Sequence, residues 1–116
     1  MNIAEICKAL ELDVTHPGDG EREIEGVIVG DLLSHILGEA EEDWLWVTIQ
    51  IHINVVAVAV LKELPMILLA SGRKPQKEMV EKCREENIAL AVSHLSSYEV
   101  CCRLGGLGIG RERGQR

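Results

Sequence analysis

The chain has no Phe, one Tyr and two Trp among its 116 residues, so aromatic rings cannot dominate its interior. Its core must be aliphatic, and with 47% apolar residues there is enough for one core in a chain of this length. Cations are scarce as well. Twelve Lys and Arg against nineteen Asp and Glu leave a net charge of −7. A surface of that sign repels phosphate backbones and argues against DNA or RNA as a partner. The cluster Glu39, Glu41, Glu42 and Asp43 and the tail Arg111, Arg113 and Arg116 read as solvated surface. Cys7, Cys83, Cys101 and Cys102 form no C-x-x-C pair, and the N-terminus does not read as a signal peptide. The expectation is a reduced, cytoplasmic protein with free thiols. The apolar run from Val47 to Leu61 is broken by Gln50, His52 and Asn54 and falls short of the ~20 residues a span needs. No membrane insertion is expected.

What is present is an alternation of segments. Asn2 and Glu5 make a capping box for a first helix with the apolar stripe Ile3, Ile6, Cys7 and Leu10. His16-Pro17-Gly18-Asp19-Gly20 breaks the chain. Ile24 to Val29 reads as a strand, after which Asp31 is expected to cap a helix that buries Leu32, Leu33, Ile36, Leu37 and Ala40. Trp44 to Gln50 is a strand with Trp44, Trp46 and Thr48 on one face and Leu45, Val47 and Ile49 on the other. The two Trp can pack under helices, flank a subunit contact or stack on a base.

"HINVVAVAVLKEL" favours a strand by composition, yet one strand from Trp44 to Leu61 would be unusually long. A buried helix from about Asn54 to Leu64, capped by Asn54, is expected instead. Pro65 closes it. Met66 to Ala70 lacks polar side chains, as a strand covered on both faces does. Pro75 suits the first turn of a helix with the stripe Met79, Val80 and Cys83 and a Glu78–Lys82 pair. Ala89 to Val92 is the last strand. Ser96 and Glu99 open a final helix that turns Val100, Cys101 and Leu104 inward and stops at Gly105-Gly106. A helix followed by four strand–helix units predicts an α/β fold, a three-layer α/β/α sandwich around a four-stranded, mainly parallel sheet. One domain over 1–109 and a flexible tail over 110–116 are expected.

Three stretches carry a family resemblance. They are Val29-Gly30-Asp31-Leu32-Leu33, Met66 through Pro75, and Ser93 through Leu104. "ASGRKP" looks like a threonine-glycine-glycine turn leading into a lysine-proline helix start, and Ser97-Tyr98 stands where Thr-Phe is common. On these stretches the chain from about Ile24 to Ile109 resembles the DRTGG domain family, as a stand-alone member. That family shares the fold class of the N-terminal domain of HPr kinase/phosphorylase. Two departures stand out. The aspartate-arginine pair should fall near His52-Ile53-Asn54 and is absent, and Ser71 and Arg73 replace the threonine and second glycine of the later motif. The resemblance implies a regulatory or dimerising module, such as those beside nucleotide-sensing CBS domains or fused to kinases or acyltransferases, and no catalysis by the domain itself.

The residues agree with that implication. No G-x-x-x-x-G-K-[ST] loop is present, so the chain is not expected to be a kinase. Gly106-x-Gly108-x-Gly110 follows a helix, where a dinucleotide fingerprint follows a strand. His52 and His94 with a cysteine lack the closely spaced ligand pairs of a zinc site. Ser71, Ser93, Ser96 and Ser97 sit in no G-x-S-x-G elbow. No catalytic residue, metal or cofactor is expected. Parallel sheets bind ligands outside the carboxyl ends of their strands, where helix N-termini favour anions. The candidates there are Gly30, Asp31, His52, Asn54, Ser71, Gly72, Arg73, Lys74, Ser96 and Ser97. The expected protein is a non-catalytic homodimer that takes an adenine nucleotide or other small anion and acts on a partner enzyme. A purely structural interaction domain and a small hydrolase or transferase stay open as alternatives.

Overall fold

The computed structural model describes residues 1–109, and the tail expected at 110–116 lies outside them. The elements run α1 (Ile3–Ala9), β1 (Asp13–His16), β2 (Gly26–Val29), α2 (Leu33–Glu39), β3 (Trp44–Thr48), α3 (Ile53–Leu61), β4 (Met66–Leu69), α4 (Lys77–Glu86), β5 (Ala89–Val92) and α5 (Ser97–Gly106). They form one sheet in the order β1-β5-β4-β3-β2. β2 to β5 are parallel, and β1 runs antiparallel to β5.

Alternation along each strand divides the core in two. Trp46, Ile67, Leu69 and Leu90 face α2, α3 and α4 and meet Ile36, Val55, Val56, Ala59, Met79 and Cys83. Leu45, Val47, Met66, Leu68, Ala89 and Ala91 face α1 and α5 and meet Ile3, Ile6, Val100 and Leu104. The result is the three-layer α/β/α sandwich. Both tryptophans pack in the first of these cores, Trp46 fully buried and Trp44 partly. Trp44 lies over Gly26, where a Cβ would come within 2.5 Å of the indole.

The sheet has five strands, not the expected four. The extra one, β1, precedes the Pro17 break. It is a short edge strand of four residues, exposed or half-exposed throughout, so no buried face marks it in the sequence. Its pairing with β5, far along the chain, makes it a strand, and a register irregularity between Val14 and His16 twists it.

"HINVVAVAVLKEL" is helical, as alternation required. Two adjacent parallel strands, β3 and β4, need a crossover between them, and burial of Val55, Val56, Val58 and Ala59 outweighs their β preference. The helix starts one residue early, with His52 rather than Asn54 at its N-cap, and ends at Leu61 rather than Leu64. Three other local expectations are corrected. Leu32, not Asp31, occupies the N-cap of α2. Pro75 lies outside α4, whose N-cap is Gln76. Lys82 pairs with Glu85 and Glu86 at 3.5 and 3.4 Å rather than with Glu78. The capping box at Asn2–Glu5 is present, and Ser96 Oγ accepts from the Glu99 N–H.

Candidate functional site

Four parallel strands place their carboxyl ends on one rim. In sheet order, the loops after β5, β4, β3 and β2 carry Ser93–Ser96, Ala70–Gln76, Ile49–His52 and Gly30–Leu32. All the sequence candidates lie on these loops or on the first residues of the helices that follow.

At the β2 end the candidates are structural. Asp31 Oδ1 accepts from the buried Thr48 hydroxyl at 2.7 Å and from the Ile49 N–H at 2.9 Å. Gln50 Nε2 donates to the Asp31 carbonyl, and Trp46 Nε1 donates to the Gly30 carbonyl, both at 2.9 Å. The carboxylate expected to cap α2 instead clamps the β3–α3 loop, because a buried hydroxyl needs an acceptor. Gly30 and Asp31 thereby shape the rim.

The middle of the rim is open. His52, Ile53 and Asn54 are exposed at the start of α3, which has no side-chain cap and no acidic residue in its first turn. Its loop is tied to the next one where the Gln76 N–H donates to the Ile51 carbonyl at 3.1 Å.

The loop after β4 is a tight turn. Ser71 and Gly72 have φ of 60° and 64°, and the Arg73 N–H closes onto the Ala70 carbonyl at 3.2 Å. Two consecutive positive φ angles suit glycine and small polar residues. The Ser71 and Gly72 N–H groups do not face a ligand. They donate to the Leu95 and Ser93 carbonyls at 2.7 and 2.8 Å. What this turn offers an anion is therefore the side chains of Arg73 and Lys74.

The His94 ring lies against Gly72, 3.1 Å from where a Cβ would stand, and its Nε2 is 3.2 Å from the Asp13 carboxylate. Ser96 is occupied as the cap of α5, and Ser97 is that helix's first residue. Asp13 and Thr15 were not among the sequence candidates. The short alternation Asp13-Val14-Thr15, with a β-branched pair at its end, was the signal that could have found them.

Three of the thiols, Cys7, Cys83 and Cys101, are not activated. Burial pushes Cys83 up to about 12 and raises Cys7 and Cys101, the last also through the neighbouring Cys102. A raised pKa leaves a thiol protonated and a poor nucleophile. Among the described residues no group of three or more His, Cys, Asp or Glu converges on one point, and no helix is long and apolar enough to cross a membrane.

Together the layers, the parallel strands and the loop-lined rim define a DRTGG-like α/β fold. A similar solved structure is that of the CBS and DRTGG domains of the regulatory region of a Clostridium perfringens pyrophosphatase, complexed with the activator diadenosine tetraphosphate. The TM-score is 0.71 at 14% identity, covering 89% of this chain and 45% of that one. The chain thus spans less than half of that neighbour's length, and at this identity the likeness is one of fold. No protein-family model and no curated protein matches the sequence.

Proposed function

We propose that this chain is a non-catalytic regulatory module that senses a small phosphorylated anion, an adenine nucleotide among them, on the rim at the carboxyl ends of its strands. One observation carries the reading. Arg73 and Lys74 stand on the β4–α4 loop, hydrogen-bonded to the loop that opens α3, a helix start with neither cap nor acid. Unsatisfied N–H groups and the helix dipole favour negative charge at such a start, and the two cations add to it. The fold neighbour is a regulatory region solved with a nucleotide activator, which agrees with a sensing role. The four free cysteines fit a reducing, cytoplasmic setting.

A homodimer completes the reading and has its own support. The outer side of α3 is apolar and exposed at Ile53 (44%), Val60 (41%) and Leu61 (72%), and no charged residue occurs from Ile53 to Leu61. A chain of net charge −7 meets its own copy at least electrostatic cost through a charge-free face. Exposed apolar patches mark interaction sites. Anion binding by Arg73 and Lys74, whose loop is tied to the one that opens α3, would bear on that interface, and the changed dimer geometry would pass to a partner enzyme.

Thermal unfolding tests the sensing role. AMP, ATP and diadenosine tetraphosphate are added separately to the wild-type chain and to an Arg73→Ala/Lys74→Ala variant. Ligand at ten times its Kd contributes about 1.4 kcal/mol, which raises Tm by several degrees in a domain of this size. The rise is expected in the wild type and not in the variant. An unchanged Tm with all three nucleotides at millimolar concentration rules the sensing role out.

A further inference from the structure

We infer that the rim's ligand seats at the β1 end, in a groove between α4 and the β1–β5 edge, and that the groove takes a phosphomonoester with a flat, hydrogen-bonding body, the chemistry of a nucleoside monophosphate. The inference rests on the sensing role proposed above and gives it a place and a ligand class. The groove exists only because β1 adds to the sheet beside β5, so none of its β1 residues was a sequence candidate.

Size comes first. The groove offers about 420 Å³ and is open to solvent. Ligand pockets run from roughly 300 to 1,000 Å³, so there is room in it for one compact molecule. Charge points the same way. Arg73 and Lys74 line the groove and supply two positive charges. The Asp13 carboxylate, also on the wall, lies 3.2 Å from His94 Nε2. A phosphomonoester carries about −1.5 to −2 at neutral pH, a charge that Arg73 and Lys74 can meet. A polyphosphate would bring more negative charge than this wall offsets, into a chain already at −7.

The rest of the lining selects the body of the ligand. Pro75, Val80 and Val92 are half-buried and apolar, and they give the face of a ring somewhere to leave water. On the β1 side the Thr15 hydroxyl and the Asp13 carboxylate accept hydrogen bonds from hydroxyl or amino groups. Inorganic phosphate has no such body and leaves these groups unused. Gly72 keeps the mouth clear, since a side chain there would press on the His94 ring.

The test is an amide chemical-shift titration of the full chain with AMP, adenosine and inorganic phosphate in turn. AMP is expected to shift Thr15, Gly72, Arg73, Lys74, Val80, Val92 and His94, and to bind at least ~tenfold more tightly than adenosine or phosphate alone. A Thr15→Trp variant fills the groove from an edge strand where Trp is well tolerated, and it is expected to lose AMP binding at least ~tenfold. The spectrum of the variant reports whether it folds, and the wild-type map decides the matter if it does not. AMP shifts confined to His52–Asn54 and Ser97 would overturn the groove and leave the sensing role standing. Phosphate binding as tightly as AMP, or a folded Thr15→Trp chain binding AMP at full strength, would overturn the ligand class or the location. No amide responding to AMP, ATP or diadenosine tetraphosphate at millimolar concentration would overturn the groove and the sensing role together.

Discussion

At the scale of single residues, Asp31 shows how a local rule yields to a tertiary one. An aspartate after a strand and before a helix is a good N-cap on paper. Here a hydroxyl 17 positions away, on Thr48, is almost fully buried at 1% exposure and needs an acceptor. Leaving that hydroxyl unpaired costs about 1–3 kcal/mol, more than a cap is worth on average. Asp31→Ala is therefore expected to destabilise the fold by about 1–3 kcal/mol in urea unfolding, and Asp31→Asn, which keeps an acceptor oxygen, by less. Equal stability of Asp31→Ala and the wild type would show that the clamp contributes nothing.

Among the elements, α3 carries the most information. Its inner side explains why a β-prone segment is helical, since Val55, Val56, Val58 and Ala59 are buried against the sheet. Its outer side is unusual for a surface helix, because exposed positions are normally polar. If that side pairs with a second copy, Leu61→Glu places a charge in a dry contact. The substitution is expected to convert a dimer to a monomer in light scattering, while changing the stability of the isolated fold by no more than ~0.5 kcal/mol, since Leu61 is 72% exposed. A wild-type chain that is monomeric at all concentrations would dispose of this interface.

For the molecule as a whole, titration of the buried Cys83 thiol is expected to lower stability at alkaline pH. Cys83 has its pKa raised from 9.0 to about 12 by burial. The folded state therefore keeps a proton that the unfolded chain loses. The contribution of this group is complete below pH 9, and it is lost as pH rises from there toward about 12. Urea unfolding at pH 8 and pH 10.5 is expected to show a drop for the wild type and a smaller drop for Cys83→Ala, whose absolute stability is lower at both. Identical pH slopes would mean that the thiol titrates alike in the folded and unfolded states.

The sequence by itself determined the layered α/β class, the two faces of β3, the presence of a buried helix between β3 and β4, though not its ends, and the position of Ser71–Lys74 beyond a buried strand. All of these follow from short-range facts. Apolar spacing, caps, glycine turns and the need for a crossover act within a few residues or one strand–helix unit. Only the tertiary structure decided the fifth strand, the clamp role of Asp31, the engagement of the Ser71 and Gly72 N–H groups and the groove that Asp13 and Thr15 complete. Each depends on hydrogen bonds or packing between residues far apart in the chain. β1 has no buried face of its own and becomes a strand only by pairing with β5. Partners so distant leave no periodic trace in one sequence, because their positions are set by how the layers close and not by local spacing.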